Sequence, residues 1–261
     1  MPGRRRTDRH VPGPQLPWST LSAVESDAAP GETSPGGSRI LRHPARGRQW
    51  EPAPAGDREA ATAIDEHIAR YFGAPETVWH ELASDLVHVD VHVTPPRPDR
   101  PLYTLVTSGM SDRPMNVPPV VDARYAELMI VLPPDWPLTA EAFRDEAAYW
   151  PVRLLKTIAR LPHAYGTWIG PGHTIPNGDP PEPYAPGVPF TGVLVAPVLR
   201  CEDAARTIVT SEGRRISLLA LIPVHQAEMD LKLTSGSDAL YDAFDRAGVS
   251  EVLDPGRPSS V

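Results

Sequence analysis

Residues 86–96 of the chain read Leu-Val-His-Val-Asp-Val-His-Val-Thr-Pro-Pro, and the alternation of valines with polar residues in this stretch decides the fold. Successive side chains of a β-strand point to opposite faces, so a period of two predicts a strand with its valines in the interior. His88, Asp90 and His92 are expected to share the opposite face. The two prolines end the strand, because proline has no amide hydrogen to donate to a neighbouring strand.

Four further segments have the composition of strands. Residues 102–107 and 125–132 lie close enough along the chain to be antiparallel neighbours, with a turn signal following the first of them. Residues 216–224 are almost entirely apolar, which is typical of a central strand buried on both faces. The fourth segment covers residues 190–199.

Apolar residues at helical spacing predict the helices. Between residues 58 and 72 they recur every three or four positions, Asp57 can cap the first turn, and Gly73 can end the helix. Trp150-Pro151 is expected to start the helix with the clearest apolar stripe, since proline suits the first helical position. The other helices are predicted at about 139–149, 226–233 and 237–247. Together these elements predict an α+β fold, a mixed and largely antiparallel sheet packed with helices.

Composition divides the chain into a domain and two tails. Residues 1–57 contain nine prolines, seven glycines and eight arginines, which predicts a disordered N-terminal tail. Residues 58–252 are expected to form one domain, and residues 253–261 a flexible C-terminal tail. The formal net charge of the chain is −8, and because arginines exceed acidic residues in the first tail, the domain itself is more acidic than the whole.

These properties exclude several classes of function. An acidic domain repels a phosphate backbone, so we expect no nucleic-acid partner. The single cysteine, Cys201, excludes an internal disulfide. No apolar run approaches the roughly 20 residues that span a bilayer, and no secretory signal is recognisable, so we expect a cytoplasmic protein without membrane contact. The sequence has no phosphate-binding glycine loop and no nucleophile elbow, and no cofactor is predicted.

Several stretches between residues 58 and 250 match one known family. The turn Thr107-Ser-Gly-Met-Ser-Asp112 and the loop Gly170-Pro-Gly-His-Thr174 are specific in combination. With them the chain resembles the suppressor of fused domain family, and in particular its single-domain bacterial branch. The other matching stretches are residues 88–96, 103–106, 126–136, 150–160 and 221–228.

The resemblance implies a non-enzymatic protein-binding module. Members of the bacterial branch are associated with immunity to toxin domains, so the resemblance also implies an immunity protein, whose acidic surface would meet a basic toxin domain. The animal signalling member has a further C-terminal lobe that helps to clamp a transcription-factor peptide. This chain ends soon after its last predicted helix, so we do not expect clamping of that kind. The oligomeric state is left open.

Two segments are the candidates for partner binding, because each presents apolar side chains within a glycine-containing backbone, and methionine and aromatic residues are enriched at interfaces. We hypothesise that the two segments lie together and form one recognition surface. The alternative is that the methionines and the tryptophan fill the core beneath the loops. The candidate residues are Ser108, Gly109, Met110, Ser111, Asp112 and Met115 in the first segment, and Tyr165, Trp168, Gly170, Gly172 and His173 in the second.

Two other functions remain open. His88, Asp90 and His92 on one strand face have the ligand types of a zinc or iron site, which would suit a metal-dependent hydrolase. The alternative for these three is an ordinary amphipathic strand, and the preferred prediction is that they bind no metal. A third possibility is an intracellular signalling scaffold in which the Pro/Arg-rich tail recruits a second protein.

Overall fold

The computed structural model of the chain describes residues 32–43, 52–53, 55–81 and 84–261. In this part of the chain, eight strands form one sheet. The strands are β1 (Thr77–Trp79), β2 (Asp90–Thr94), β3 (Tyr103–Ser108), β4 (Ala126–Leu132), β5 (Thr174–Pro176), β6 (Gly192–Pro197), β7 (Thr207–Val209) and β8 (Arg215–Val224). The four α-helices are α1 (Arg58–Tyr71), α2 (Glu146–Tyr165), α3 (Gln226–Ser235) and α4 (Ser237–Ala247).

The sheet is mixed and mostly antiparallel, as the sequence predicts. Its strand order is β1-β2-β3-β4-β8-β6-β5, and β7 pairs with one end of β8. Only the β4–β8 pair is parallel among the described strands. A parallel pair needs a crossover connection, and the long chain segment between β4 and β8 contains α2. The predicted central strand, β8, lies between β4 and β6.

The helices cover both faces of the sheet. On one face, α2 packs its Trp150 and Leu154 against the alternating valines of β2 and against the buried β4 side chains that face this helix. On the other face, α1 packs Ile64 and Ile68 against Val106 and residues of β4 and β8. The helices α3 and α4 pack on the side of β6 that faces away from α2. Leu240 and Phe244 of α4 lie in one cluster with Leu194 of β6. No helix in the described ranges is long and apolar enough to cross a lipid bilayer.

Helix α1 begins where the sequence predicts. The side chain of Asp57 accepts hydrogen bonds from the amides of Glu59 at 3.0 Å and Ala60 at 3.1 Å, which satisfies two otherwise unpaired donors of the first turn. The same carboxylate forms an ion pair with Arg214 at 2.7 Å. The cap therefore ties the helix to the loop before β8.

Helix α2 differs from the prediction of two helices meeting at Trp150-Pro151. It begins at Glu146, after Asp145, whose side chain accepts from the amide of Ala147 at 2.9 Å. Pro151 lies inside this helix, because Asp145 caps it more than a turn before the proline. Thr139 caps only a short 3-10 turn, through a hydrogen bond from the amide of Ala142 at 3.1 Å.

The two predicted tails have contacts with the domain where they are described. Most of the predicted N-terminal tail lies outside the described residues, but the amide of Gly36 donates to the carbonyl of Leu233 at 2.8 Å, and that of Ala53 to Ser84 at 3.2 Å. The C-terminal residues 253–261 differ from the expected flexible tail. They are held against the domain because Arg257 forms an ion pair with the buried Glu228.

Candidate functional site

The turn after β3 is held by a buried carboxylate, that of Glu127 in β4. Its Oε1 atom accepts hydrogen bonds from the amides of Gly109 at 3.0 Å and Ser111 at 2.9 Å, and from the Ser111 hydroxyl at 2.6 Å. Its Oε2 atom accepts from the Thr107 hydroxyl at 2.6 Å. All four contacts come from donors, so the side chain is fully hydrogen-bonded although it is inaccessible to solvent.

Burial and hydrogen bonding act on Glu127 in opposite directions. Removal from water raises the pKa of its carboxyl above the ordinary value, and the hydrogen bonds from Ser111 and Thr107 partly offset that rise. Glu127 was not among the residues that the sequence indicated. The signal was a single acidic residue inside the otherwise apolar segment 126–132, which must find donors if the strand is buried.

The turn also packs closely against the start of β2. Gly109 has a φ of 105°, and a Cβ added there would lie only 1.8 Å from the carbonyl oxygen of His88. Only glycine therefore fits this position. At the end of β3, the hydroxyl of Ser108 lies 3.0 Å from Nε2 of His92, so a second side chain links the turn to β2.

The structure places most of the first candidate segment in the interior. Met110 and Met115 are 1% and 3% exposed and belong to the core cluster under α2, so they are not part of a surface that a partner can contact. Ser108 and Ser111 are also buried. Asp112 is half-buried and accepts from the amide of Asp57 at 3.3 Å, and burial raises the pKa of the Asp112 carboxyl.

The second candidate segment lies beside the first. Asn116 donates from its amide to the carbonyl of Thr167 at 3.0 Å, and from its side chain to the carbonyl of Gly166 at 2.9 Å. Nε2 of His163 lies 3.0 Å from the carbonyl oxygen of Met110. The end of α2 and the loop after it are thus joined to the segment after β3 at three points.

Two aromatic residues of the second segment reach the surface. Tyr165 is 37% exposed and stacks on His43 with ring centroids 5.1 Å apart. Trp168 is half-buried and contacts His173 edge to face at 4.4 Å. Gly170 and Gly172 are buried, and a Cβ on Gly170 would lie 2.7 Å from the Trp168 ring.

We call the exposed part of these two segments the paired-loop surface. It comprises Tyr165 and the half-buried Trp168 from the candidate residues, together with their exposed neighbours Pro114, Asn116 and Gly166, which were not candidates. The hydrogen bonds of Asn116 join its two parts, and Glu127 holds the turn that precedes Pro114 along the chain.

Burial shifts the pKa of two basic side chains, the half-buried His173 of the second segment and the buried Lys232 of α3. Burial, with a smaller contribution from Lys232, lowers the pKa of His173 to about 4, so its ring is neutral at neutral pH. Burial also lowers the pKa of Lys232 to about 8. The Lys232 ammonium donates to the Thr174 hydroxyl at 3.2 Å, which connects α3 to the edge strand β5.

The three side chains predicted as metal ligands do not converge. His92 is buried, and its ring contacts Ser108 at 3.0 Å and Asp65 at 2.9 Å. His88 and Asp90 instead meet His80, which follows β1. The alternative metal site His88-x-Asp90-x-His92 is therefore not assembled as one cluster, because β2 begins only at Asp90 and His88 lies before the regular strand.

Comparisons with known proteins are consistent with this architecture. The family model described as suppressor of fused protein (SUFU) matches residues 85–258. A crystal structure of a SUFU homologue from Neisseria gonorrhoeae FA 1090 is similar with a TM-score of 0.59 and 15% identity, covering 78% of this chain and 98% of that one. The crystal structure of the Sufu–Fu complex is similar with a TM-score of 0.53 and 15% identity, covering 80% and 93%. None of the curated proteins compared with the sequence matches it.

Proposed function

Because this chain belongs to the suppressor of fused family, we propose that it is a protein-binding module that contacts its partner through the paired-loop surface. The observation that carries the proposal is the buried Glu127, whose four hydrogen bonds order the turn that leads into that surface. A surface that is ordered before binding loses less conformational entropy when the partner arrives. The ordered turn therefore supports a role of this surface in recognition.

The exposed side chains of the surface support the same proposal. Tyr165 and Trp168 supply aromatic area, and aromatic residues are enriched where interfaces carry most of their binding energy. Asn116 holds the two segments of the surface together by donating to the carbonyls of Thr167 and Gly166. A relative of the same fold was crystallised as the Sufu–Fu complex, so at least one protein of this fold forms a complex with another protein.

The partner that we propose is a basic protein, such as a toxin domain that this chain would neutralise in the cytoplasm of a bacterium. The net charge of −8 supports this choice. Complementary charge accelerates the association of two proteins, and this effect weakens as salt is added. An immunity protein benefits from fast association because it must reach the toxin before the toxin reaches its target.

We also propose that the chain has no enzymatic activity. The predicted ligands His88, Asp90 and His92 are divided between two separate contacts. Burial raises the pKa of the Cys201 thiol, which disfavours the reactive thiolate. The first observation counts against the hydrolase site that the sequence left open, and the second counts against a cysteine nucleophile.

The test compares three forms of the chain as bait in extracts of the native host. The forms are the wild type, the double variant Tyr165→Ala/Trp168→Ala, and Val209→Ala as a control. Val209 is 55% exposed and lies in β7, away from the paired-loop surface. A protein recovered with the wild type is purified, and its Kd is measured for each form at low and high salt.

We expect the double variant to bind at least about tenfold more weakly, since loss of a central aromatic residue costs on the order of 1–2 kcal/mol or more. Val209→Ala is expected to bind like the wild type. If the double variant and Val209→Ala are both folded and bind the partner equally weakly, the proposed surface is contradicted. A Kd that salt does not change would contradict the proposed basic partner.

A further inference from the structure

The carboxylate of Asp90 lies between two imidazole rings. Its Oδ2 atom is 2.8 Å from Nδ1 of His80, and its Oδ1 atom is 2.9 Å from Nε2 of His88. One ligand atom from each of the three residues can be chosen so that all lie within 4.8 Å of one another. The amide of Glu81 donates to Oδ1 at 3.2 Å, which fixes the orientation of the carboxylate.

The hydroxyl of Ser84 determines which nitrogen of His88 carries a proton. Ser84 Oγ lies 2.9 Å from a carboxylate oxygen of Glu81 and 2.7 Å from Nδ1 of His88. A hydroxyl has one proton, and the Glu81 carboxylate, which is paired with cations of α2, can only accept. Both contacts are hydrogen bonds only if Ser84 donates to Glu81 and the Nδ1–H of His88 donates to Ser84.

This arrangement turns Nε2 of His88 toward the Asp90 carboxylate. A nitrogen and an oxygen atom held 2.9 Å apart are joined either by a proton or by a cation that both atoms bind. We propose that His80, His88 and Asp90 form a binding site for a divalent transition-metal ion. The site goes beyond the proposed partner binding and does not depend on it.

The ligand types and their separation suit such an ion. Two imidazoles and one carboxylate are the ligands of many zinc, iron and nickel sites, and in the facial arrangement they leave open positions. Ligand atoms 2.9 Å apart, each at about 2.1 Å from the ion, subtend about 90°, which is an octahedral or five-coordinate angle. The His80 and His88 side chains are 68% and 37% exposed, so the ion can enter from solvent.

A second layer of contacts supports the ligands. Glu81, which orients Ser84, is ion-paired with Arg160 and lies 3.5 Å from the ammonium of Lys156, both in α2. Partners of this kind, which hold a histidine in one tautomer, typically strengthen metal binding by about 10–100-fold. The site is therefore attached to the longest helix of the domain as well as to β1 and β2.

The position of the site suggests a structural effect of the ion. His80 follows β1, whereas Asp90 begins β2, and the two strands are antiparallel neighbours at the edge of the sheet. An ion bound by His80 and Asp90 would cross-link the end of β1 to the start of β2. It would also lie close to the turn after β3, since Asp90 is the register partner of Ser108.

The proposal is tested by titrating Co²⁺ into the full chain after treatment with a chelator. Isothermal titration calorimetry gives the stoichiometry and the Kd, and paramagnetic broadening of histidine ring signals in proton NMR locates the ion. The variants are His80→Ala, Asp90→Asn and Ser84→Ala. His43→Ala is the matched control, because His43 is another accessible histidine and contacts only Tyr165 among the ring contacts of the described residues.

We expect one Co²⁺ per chain, with binding weakened at least about tenfold by His80→Ala, by Asp90→Asn and by Ser84→Ala. His43→Ala should bind like the wild type. Absence of Co²⁺ binding would mean that a proton joins His88 to Asp90, and would overturn the proposal. Binding that is lost in a folded His92→Asn variant but kept in His80→Ala would also overturn it.

Discussion

Ser111 donates two hydrogen bonds to one oxygen of Glu127, from its amide at 2.9 Å and from its hydroxyl at 2.6 Å. Glu127 lies on β4, and Ser111 lies in the short 3-10 turn that follows β3. The two residues are 16 positions apart and both are inaccessible to solvent. Through this contact, the sheet interior determines the shape of the turn that borders the paired-loop surface.

Replacement of Glu127 is expected to destabilise the domain, less when glutamine replaces it than when alanine does. Glu127→Gln keeps the size and one oxygen, and should lower the free energy of unfolding by about 1–2 kcal/mol. Glu127→Ala leaves the buried donors of Gly109, Ser111 and Thr107 without an acceptor, and should cost about 3–5 kcal/mol. Urea unfolding measures both values.

The control for these variants is Glu141→Ala, which removes an exposed carboxylate. It should change the unfolding midpoint little. An alanine variant of Glu127 that is no less stable than the glutamine variant would show that the turn keeps its shape without this anchor.

The C-terminal residues are expected to contribute directly to stability. Arg257 forms two hydrogen bonds with the buried Glu228, at 2.5 and 2.7 Å, and its guanidinium lies over the rings of Phe190 and Phe244. Arg257→Ala leaves a buried carboxylate without its cation and should cost about 3–5 kcal/mol in thermal or urea unfolding. Arg246→Ala, which removes an exposed arginine, is the comparison and should cost less than 1 kcal/mol or so.

Acid is expected to destabilise the domain through His173. Its pKa in the folded chain is about 4, below the ordinary value of 6.5, so between these values the unfolded chain binds a proton that the folded chain does not. The free energy of unfolding therefore falls as the pH decreases from 6.5 to about 4. The full effect is on the order of 3 kcal/mol.

His173→Gln tests this contribution, since other buried histidines such as His67 and His163 have their pKa lowered in the same direction. The difference between wild type and variant isolates His173. Unfolding curves measured at several pH values should show a shallower acid loss for the variant. Parallel losses in the two proteins would show that His173 is protonated without cost.

Lys232 is expected to lower stability at neutral pH. Burial lowers its pKa to about 8 from 10.5, and its one hydrogen-bond acceptor among the described contacts is the Thr174 hydroxyl. Lys232→Met removes the buried charge at similar volume, and should raise the free energy of unfolding at pH 7 by about 1–3 kcal/mol.

The same residue has a second signature above neutral pH. Between pH 8 and 10.5 the unfolded chain retains a proton that the folded chain has released, so wild-type stability should rise with pH, and the gain of the methionine variant should shrink. Lys156→Met, which instead breaks the contact with Glu81, should be destabilising. A Lys232→Met variant that is less stable at every pH would mean that the hydrogen bond to Thr174 outweighs the cost of burying the charge.

The secondary structure was largely predictable because its signals are local. The alternation over residues 86–94 places the valines of β2 in the core, and the helical spacing over residues 58–72 places α1 on the sheet. The start of α2 was not predictable in this way. Pro151 is a strong local signal for a first turn, but Asp145 provides the actual cap and extends the helix before it.

The candidate surface was only partly predictable. The sequence indicated the segments around Ser108 and Trp168 as candidates, and in the structure the hydrogen bonds of Asn116 join them. Sequence could not decide that Met110 and Met115 are buried, since a loop methionine fits the core and the surface equally well. Glu127 was overlooked because its donors come from residues that only the β3–β4 pairing brings near.

By itself, the sequence determined five of the eight strands with α1, α3 and α4, the acidic balance and the family, since all three depend on residue types at short spacing or on the chain as a whole. Only the tertiary structure decided that His80 rather than His92 meets His88 and Asp90, and that Arg257 returns to Glu228. The physical reason is that a side chain's partners are set by which backbone segments pack together. Local periodicity places a residue on a face, whereas packing across the sheet and its loops decides what that face meets.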